Sequence, residues 1–145
     1  MPPWVQAAFG EYKKRLPPTL ALELTEIPPG HRGKRSNAAN AMEAEAKRLL
    51  SAVPKGARKV TLDEHGKAWS TVALAKRLEH WMHSGDDIAL LVGGPDGLAP
   101  SIKSQADESW SLSPLTFPHA LVRIIVAEQL YRAWSVLNHH PYHRV

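Results

Sequence analysis

Cysteine is absent from the 145-residue chain, so disulfide staples, thiol nucleophiles and cysteine-ligated zinc are all excluded. Also missing is any apolar run approaching the ~20 residues that a membrane span needs. The opening stretch, MPPWVQAAFGEYKKR, holds no apolar segment long enough for a secretory signal. Neither a linker nor an internal repeat interrupts the chain, and its length suits one domain over residues 1–145. Apolar residues at 43% and charged residues at 22% are ordinary for a soluble globular protein. These absences lead us to expect a cytoplasmic protein without a membrane partner.

What charge there is leans basic. A formal charge of +4 favours anionic partners. Lys13, Lys14 and Arg15 cluster near the start, and His31, Arg32, Lys34 and Arg35 share a glycine-containing loop. Arg123, Arg132 and Arg144 lie around the C-terminal helix and tail. Each cluster alone reads as a solvated surface; convergence of all three beside one pocket would make an RNA footprint.

Strands and helices are expected to alternate. Val5, Phe9, Tyr12 and Leu16 recur at helical spacing behind Pro2–Pro3, until Pro17–Pro18 end the pattern. Leu20, Leu22, Leu24 and Ile27 alternate as in a strand. Met42, Ala46, Leu49 and Val53 mark a second helix, with Ser36 or Asn37 as its cap. Arg58–Asp63 predicts a strand closed by a turn at Gly66. A third helix follows from Ser70 to Gly85, with Leu74, Leu78 and Trp81 on one face. The apolar core of Asp86–Val92 predicts an interior strand covered on both faces, and Trp110–Leu112 a further short strand. Pro118–Leu137 reads as a long helix, apolar on several sides, for which a second subunit is the expected cover. The whole pattern predicts an α/β protein with a mostly parallel sheet flanked by helices.

Two loops and a tail carry candidate chemistry. Gly93-Gly94-Pro95-Asp96-Gly97 follows an apolar strand, where open α/β sheets bind ligands. It is neither a P-loop nor G-x-G-x-x-G, since no Gly-Lys-Ser/Thr follows and the glycine spacing differs. Ser113–Pro118, SPLTFP, has a path fixed by two prolines, and its main-chain groups suit an adenine edge as well as they suit a rigid connector. His139, His140 and His143 raise the question of a metal site. Pro141 breaks their spacing and no acidic residue lies nearby, so no metal is expected. His80 and His83 are expected to face solvent, and His119 to cap, pack or touch substrate.

Taken in order, GGPDGL, SWSLSPLTFPHALVR and AEQLYRAWSVLNHHPYHR closely resemble the ribosomal RNA large subunit methyltransferase H family, of the SPOUT class. PxWVQ near the start, RGK and VTLD extend the similarity along essentially the whole chain. The resemblance implies a C-terminal trefoil knot, a homodimer and S-adenosylmethionine as methyl donor. It also implies methylation at N3 of pseudouridine 1915 in 23S rRNA, on the assembled ribosome. Cofactor contacts are implied at Leu62, Gly94, Ser113, Pro114, Leu115, Thr116, Phe117 and Pro118. Substrate contacts are implied at Arg132, Tyr142, His143 and Arg144.

Members of that family usually begin with a further short strand, and this sequence starts at the helix that follows it. N3 must lose a proton, and a histidine titrates in the useful range. His143 is therefore the expected base, with Arg132 and Arg144 expected either to offset charge developing on the uracil carbonyls or to hold phosphates. Two other readings stand beside this one: a catalytically silent RNA- or ribosome-binding module on the same scaffold, and a SPOUT enzyme with another RNA target.

Overall fold

The computed structural model describes residues 1–28, 38–93 and 97–143. Its elements run α1 (Pro3–Lys13), a 3-10 turn (Pro18–Leu20), α2 (Ala38–Ala52), β1 (Arg58–Ala68), α3 (Thr71–Ser84), β2 (Ile88–Val92), α4 (Pro100–Gln105), β3 (Glu108–Ser111) and α5 (His119–Leu137). The chain divides into two compact units. One comprises Met1–Glu23, Trp69–Gly85 and the stretch from Ala120 onward, and the other Leu24–Ala68 and Asp86–His119.

The first unit is helical. α1 starts on Pro3 behind Pro2, where a missing N–H costs nothing, and buries Val5 and Phe9. α3 is capped at both ends by residue type. The Ser70 hydroxyl accepts the Ala73 N–H at 3.1 Å, and Gly85 closes the helix at φ +77°, a conformation open to glycine at little cost. Between the caps Leu74, Ala75, Leu78 and Trp81 are buried, as their spacing predicts. Burial of each leucine contributes about 1.5–3 kcal/mol. α5 buries Val126, Ala127, Leu130, Tyr131, Ala133 and Ser135, none of them in its first two turns. Its first half keeps Leu121 exposed and Val122, Ile124 and Ile125 only partly covered.

The second unit is built on a parallel sheet in the order β2-β1-β3. Parallel neighbours demand crossovers, and α3 supplies the one from β1 to β2. The segment holding α4 connects β2 to β3. Ala46, Leu91, Leu98, Ala99 and Ile102 form its apolar cluster, with Met42, Leu49, Leu50 and Val53 packed against it. The α2 stripe expected from sequence is thus the face that meets α4 and β2. α4 itself begins at Pro100, placed in the first turn where proline is tolerated. Six residues are too few for a hydrophobic period to register in the sequence.

Three expectations need correction. Ala21–Pro28 forms no strand: alternation supplies a face, but a strand exists when its N–H and C=O groups find a ladder, and no described segment pairs with it. Gly66 is not a turn. β1 runs on to Ala68, with a register shift between Leu62 and Lys67, both of which stand opposite Trp110. A Cβ at Gly66 would lie 2.6 Å from the Ser109 hydroxyl and 2.8 Å from its carbonyl carbon, so glycine serves a close approach to β3. Finally, β2 is an edge strand among the described residues, and only Leu91 in it is buried. The central strand is β1, whose Val60 and Thr61 are almost wholly buried. Ser36, Asn37 and the basic loop His31–Arg35 lie outside the described residues.

Candidate active site

The register of the sheet brings three loops to one end. Leu62 pairs with Val92 on one side and Trp110 on the other, so the carboxyl ends of all three strands are level. From that level leave the shifted segment Asp63–Gly66 of β1, the glycine loop after Val92 and the loop from Leu112 to Pro118. Ligands of open α/β sheets bind outside the carboxyl ends of the strands. Leu62 and the Ser113–Pro118 loop, expected from sequence to meet the cofactor, therefore belong to one region of one unit. Gly94 lies outside the described residues, as do Pro95 and Asp96.

Gly93 and Gly97 have steric and conformational reasons to be glycine. A Cβ at Gly93 would stand 2.6 Å from the carbonyl carbon of Gly97 and 2.9 Å from the Leu98 nitrogen. The chain therefore closes on itself there, and Gly97 sits at φ +84°.

Side chains hold the second loop. The Ser111 hydroxyl lies 3.0 Å from the Glu64 carbonyl and 3.1 Å from that of Ser113. Ser113 Oγ accepts the Leu115 N–H at 3.0 Å, and the Thr116 hydroxyl donates to Glu64 Oε2 at 2.6 Å. Asp63 caps the same shifted segment by accepting the His65 N–H at 3.0 Å, and it lies 3.6 Å from Lys103 of α4. Leu115 at the loop tip is 69% exposed, an apolar surface with no protein cover in this unit. Main-chain groups of a proline-bounded loop that also carries Leu115 and Phe117 suit a flat, mostly apolar group with hydrogen-bonding edges, such as an adenosyl moiety.

The other expected residues gather in the helical unit. After α5 the chain reverses at His139, which takes φ +53°. The His140 N–H donates to Ser135 O at 2.9 Å across the turn, and the tail then doubles back. Its return sets the Tyr142 hydroxyl 3.0 Å from Glu128 Oε1. The same oxygen accepts from Arg132 Nε at 2.9 Å and from a second guanidinium nitrogen. The other Glu128 oxygen accepts from Gln129 at 2.6 Å. Arg132 also lies over the Tyr142 ring, 5.0 Å from its centre, and Tyr142 packs on Tyr131 at 4.5 Å. Burial pushes the Tyr142 phenol well above its ordinary value, helped by hydrogen bonds with Tyr12 and Glu128. The hydrogen bond to Glu128 likewise raises Arg132, which stays fully charged. His143 is half-buried, and its Nδ1 is enclosed without a partner among the described residues. Arg144 lies outside them.

Sequence reasoning missed Glu64, Glu128 and Tyr12. For Glu128 a signal existed, since Glu128 and Arg132 are spaced i,i+4 on a helix. For the other two the partners are remote in sequence. The Lys13–Arg15 cluster proves to be matched by acids: Lys13 faces Glu23 at 3.4 Å, while Lys14 and Arg15 each meet Glu11 at 2.7 Å. Among the described residues no three histidine or acidic side chains gather as a metal site, and no helix is long and apolar enough to cross a membrane.

A parallel sheet with loops converging at its carboxyl edge defines a ligand-binding α/β protein, and the comparisons narrow the class. The family described as Predicted SPOUT methyltransferase matches residues 1–143. A protein of Thioalkalivibrio sulfidiphilus (strain HL-EbGR7), named Ribosomal RNA large subunit methyltransferase H, is 57% identical over 144 residues, covering 99% of this chain and 92% of its own. Another of that name, from Hydrogenovibrio crunogenus (strain DSM 25203 / XCL-2), is 56% identical over the same shares. The chain belongs to the SPOUT methyltransferases and, within them, to the ribosomal RNA large subunit methyltransferase H family.

Proposed function

We propose that this chain is an S-adenosylmethionine-dependent methyltransferase that modifies large-subunit ribosomal RNA. The observation that carries the reading is the level of Leu62, Val92 and Trp110, which collects three loops where a nucleotide-like cofactor binds. The relatives' names supply the RNA class. The finer target, N3 of pseudouridine 1915 in 23S rRNA of the assembled ribosome, rests on the tail motif HHPYHR.

The sulfonium supplies an activated methyl carbon. Leu62, Gly94 and the Ser113–Pro118 loop would hold the adenosyl part, and positioning is the main contribution a protein makes to a displacement of this kind. Arg132 and Tyr142 orient the pyrimidine, and Arg132 with Arg144 offsets charge developing on its carbonyls. His143, whose enclosed Nδ1 has no partner among the described residues, is assigned to take the N3 proton.

In this reading residues 1–145 form one domain, as a family match over residues 1–143 supports. The domain carries the trefoil knot of its class and works as a homodimer in the cytoplasm. The incompletely covered apolar start of α5 suits a second subunit.

Calorimetric titration of S-adenosylmethionine into the purified chain, with its mass in solution, is the direct test. Saturable binding by a dimer, followed by methyl transfer to ribosomes lacking the modification, is the expected result. A dimer that binds ribosomes but no cofactor would instead identify a silent module. In single turnover with saturating cofactor, an undiminished rate in His143→Ala would remove the base assignment.

A further inference from the structure

We propose that Glu64 is a positioning residue for the cofactor loop, an inference that rests on the function proposed above. Glu64 lies in the segment Asp63–Gly66, where β1 slips its register against β3. That slip removes residues 63–66 from regular pairing and carries Glu64 toward the loop that follows β3. Both ends of the residue are then used. Its main-chain carbonyl takes the Ser111 hydroxyl at 3.0 Å, and its carboxylate takes the Thr116 hydroxyl at 2.6 Å. Ser111 and Thr116 bracket Ser113–Leu115, and the Ser113–Leu115 bond closes the loop between them.

Glu64 thus ties the loop at its root and near its far end. The loop's prolines narrow its main-chain freedom without anchoring it to the sheet, and the carboxylate provides that anchor. Without it, Leu115 and Thr116 sample several arrangements, and the cofactor must select the competent one, which lowers its apparent affinity by the competent fraction. Glu64 is assigned to the loop and not to the reacting atoms, so it acts on binding and not on the chemical step.

The test uses the full chain in five forms: unsubstituted, Glu64→Ala, Glu64→Gln, Thr116→Val and the double variant Glu64→Ala/Thr116→Val. Calorimetry reads S-adenosylmethionine affinity, and hydrogen exchange of the Leu115 and Thr116 amides in the free protein reads loop order. Glu64→Ala is expected to weaken binding about 3- to 10-fold, as loss of one anchoring hydrogen bond does, and to speed exchange at both amides. Glu64→Gln, which keeps an acceptor oxygen, is expected to stay within about twofold of the unsubstituted chain. Thr116 is itself assigned to the cofactor, so the double variant is expected to bind no more weakly than Thr116→Val alone, since the Glu64 carboxylate acts through that hydroxyl. Unchanged affinity and exchange in Glu64→Ala would overturn the proposal while leaving the methyltransferase reading intact. Failure of the unsubstituted chain to bind the cofactor would instead sink that reading and, with it, Glu64's role.

Discussion

Tyr142 and Arg132 share a single oxygen, Glu128 Oε1, the phenol at 3.0 Å and the guanidinium Nε at 2.9 Å. One carboxylate thereby fixes two residues assigned to the RNA, one on α5 and one on the returning tail. Removing its charge should disturb both together. Glu128→Gln is expected to lower single-turnover methyl transfer to ribosomes by about 10-fold or more, since bonds to charged groups contribute ~1.5–3 kcal/mol. Cofactor affinity, read by calorimetry, is expected to change less than about twofold on the same substitution. A parallel fall in both quantities would mean that Glu128 supports the fold and not the substrate side.

Alkaline stability should report the same cluster. The Tyr142 phenol is raised above its ordinary 10.0 in the folded state, chiefly by burial. The folded form therefore holds its proton more tightly than the unfolded chain. Stability is unaffected by this group below about pH 10, then falls as the pH rises toward the folded value. Tyr142→Phe gives up about 1 kcal/mol at neutral pH through the lost bond to Glu128. It should also show a shallower decline above pH 10. Urea unfolding of both proteins between pH 7 and 11 measures the two slopes, and identical slopes would contradict the assignment.

Gly66 offers a steric test of the shifted strand. Any Cβ there falls 2.6–2.8 Å from atoms of Ser109, two of them main-chain atoms of a neighbouring strand that has little room to move. Gly66→Ala is expected to cost about 1–3 kcal/mol, the usual range for overpacking. Gly10, whose Cβ would meet nothing within 4 Å, is the matched control. Gly10→Ala lies within a helix and should stabilise by about 0.5–1 kcal/mol. Equal effects in denaturant unfolding would show that β1 ends before Gly66.

What could be read in the sequence was what local chemistry decides. Ser70 and Gly85 announce α3 because a hydroxyl cap and a left-handed glycine act on neighbouring residues. The motif order from GGPDGL to HHPYHR was legible because each piece is contiguous. Gly66 was misread because its reason is Ser109, more than forty residues away. The apolar run of Ile88–Val92 suited an interior strand equally well, since burial depends on which strands arrive beside it. Leu20–Ile27 shows the converse, a face without a ladder. Glu64 left no trace at all, because a surface carboxylate gains its role only when the register shift turns it toward Thr116. The tail was singled out by its histidines, yet the geometry puts Tyr142 and Glu128 at its centre.

The reversal at His139 joins stability to function. His139 takes φ +53° in the position where helices favour glycine, with the His140 N–H bonded to Ser135 O and its own N–H 3.4 Å from Val136 O. A left-handed conformation costs an ordinary residue about 1–2 kcal/mol. Glycine avoids that cost but loses more freedom on folding, so His139→Gly is expected to stabilise by about 0.5–1 kcal/mol. The turn, and with it the return of Tyr142 to Glu128, is kept, so methyl transfer should be retained. His139→Pro does the opposite, since proline fixes φ near −65° and has no N–H to give. It should direct the tail away from Glu128 and lower methyl transfer while α5 still forms. Thermal unfolding and a ribosome assay on the two variants separate the effects. If His139→Pro left activity unchanged, the path of the tail after α5 would not matter to catalysis, and the grouping of Arg132, Tyr142 and His143 at the substrate would have to be abandoned.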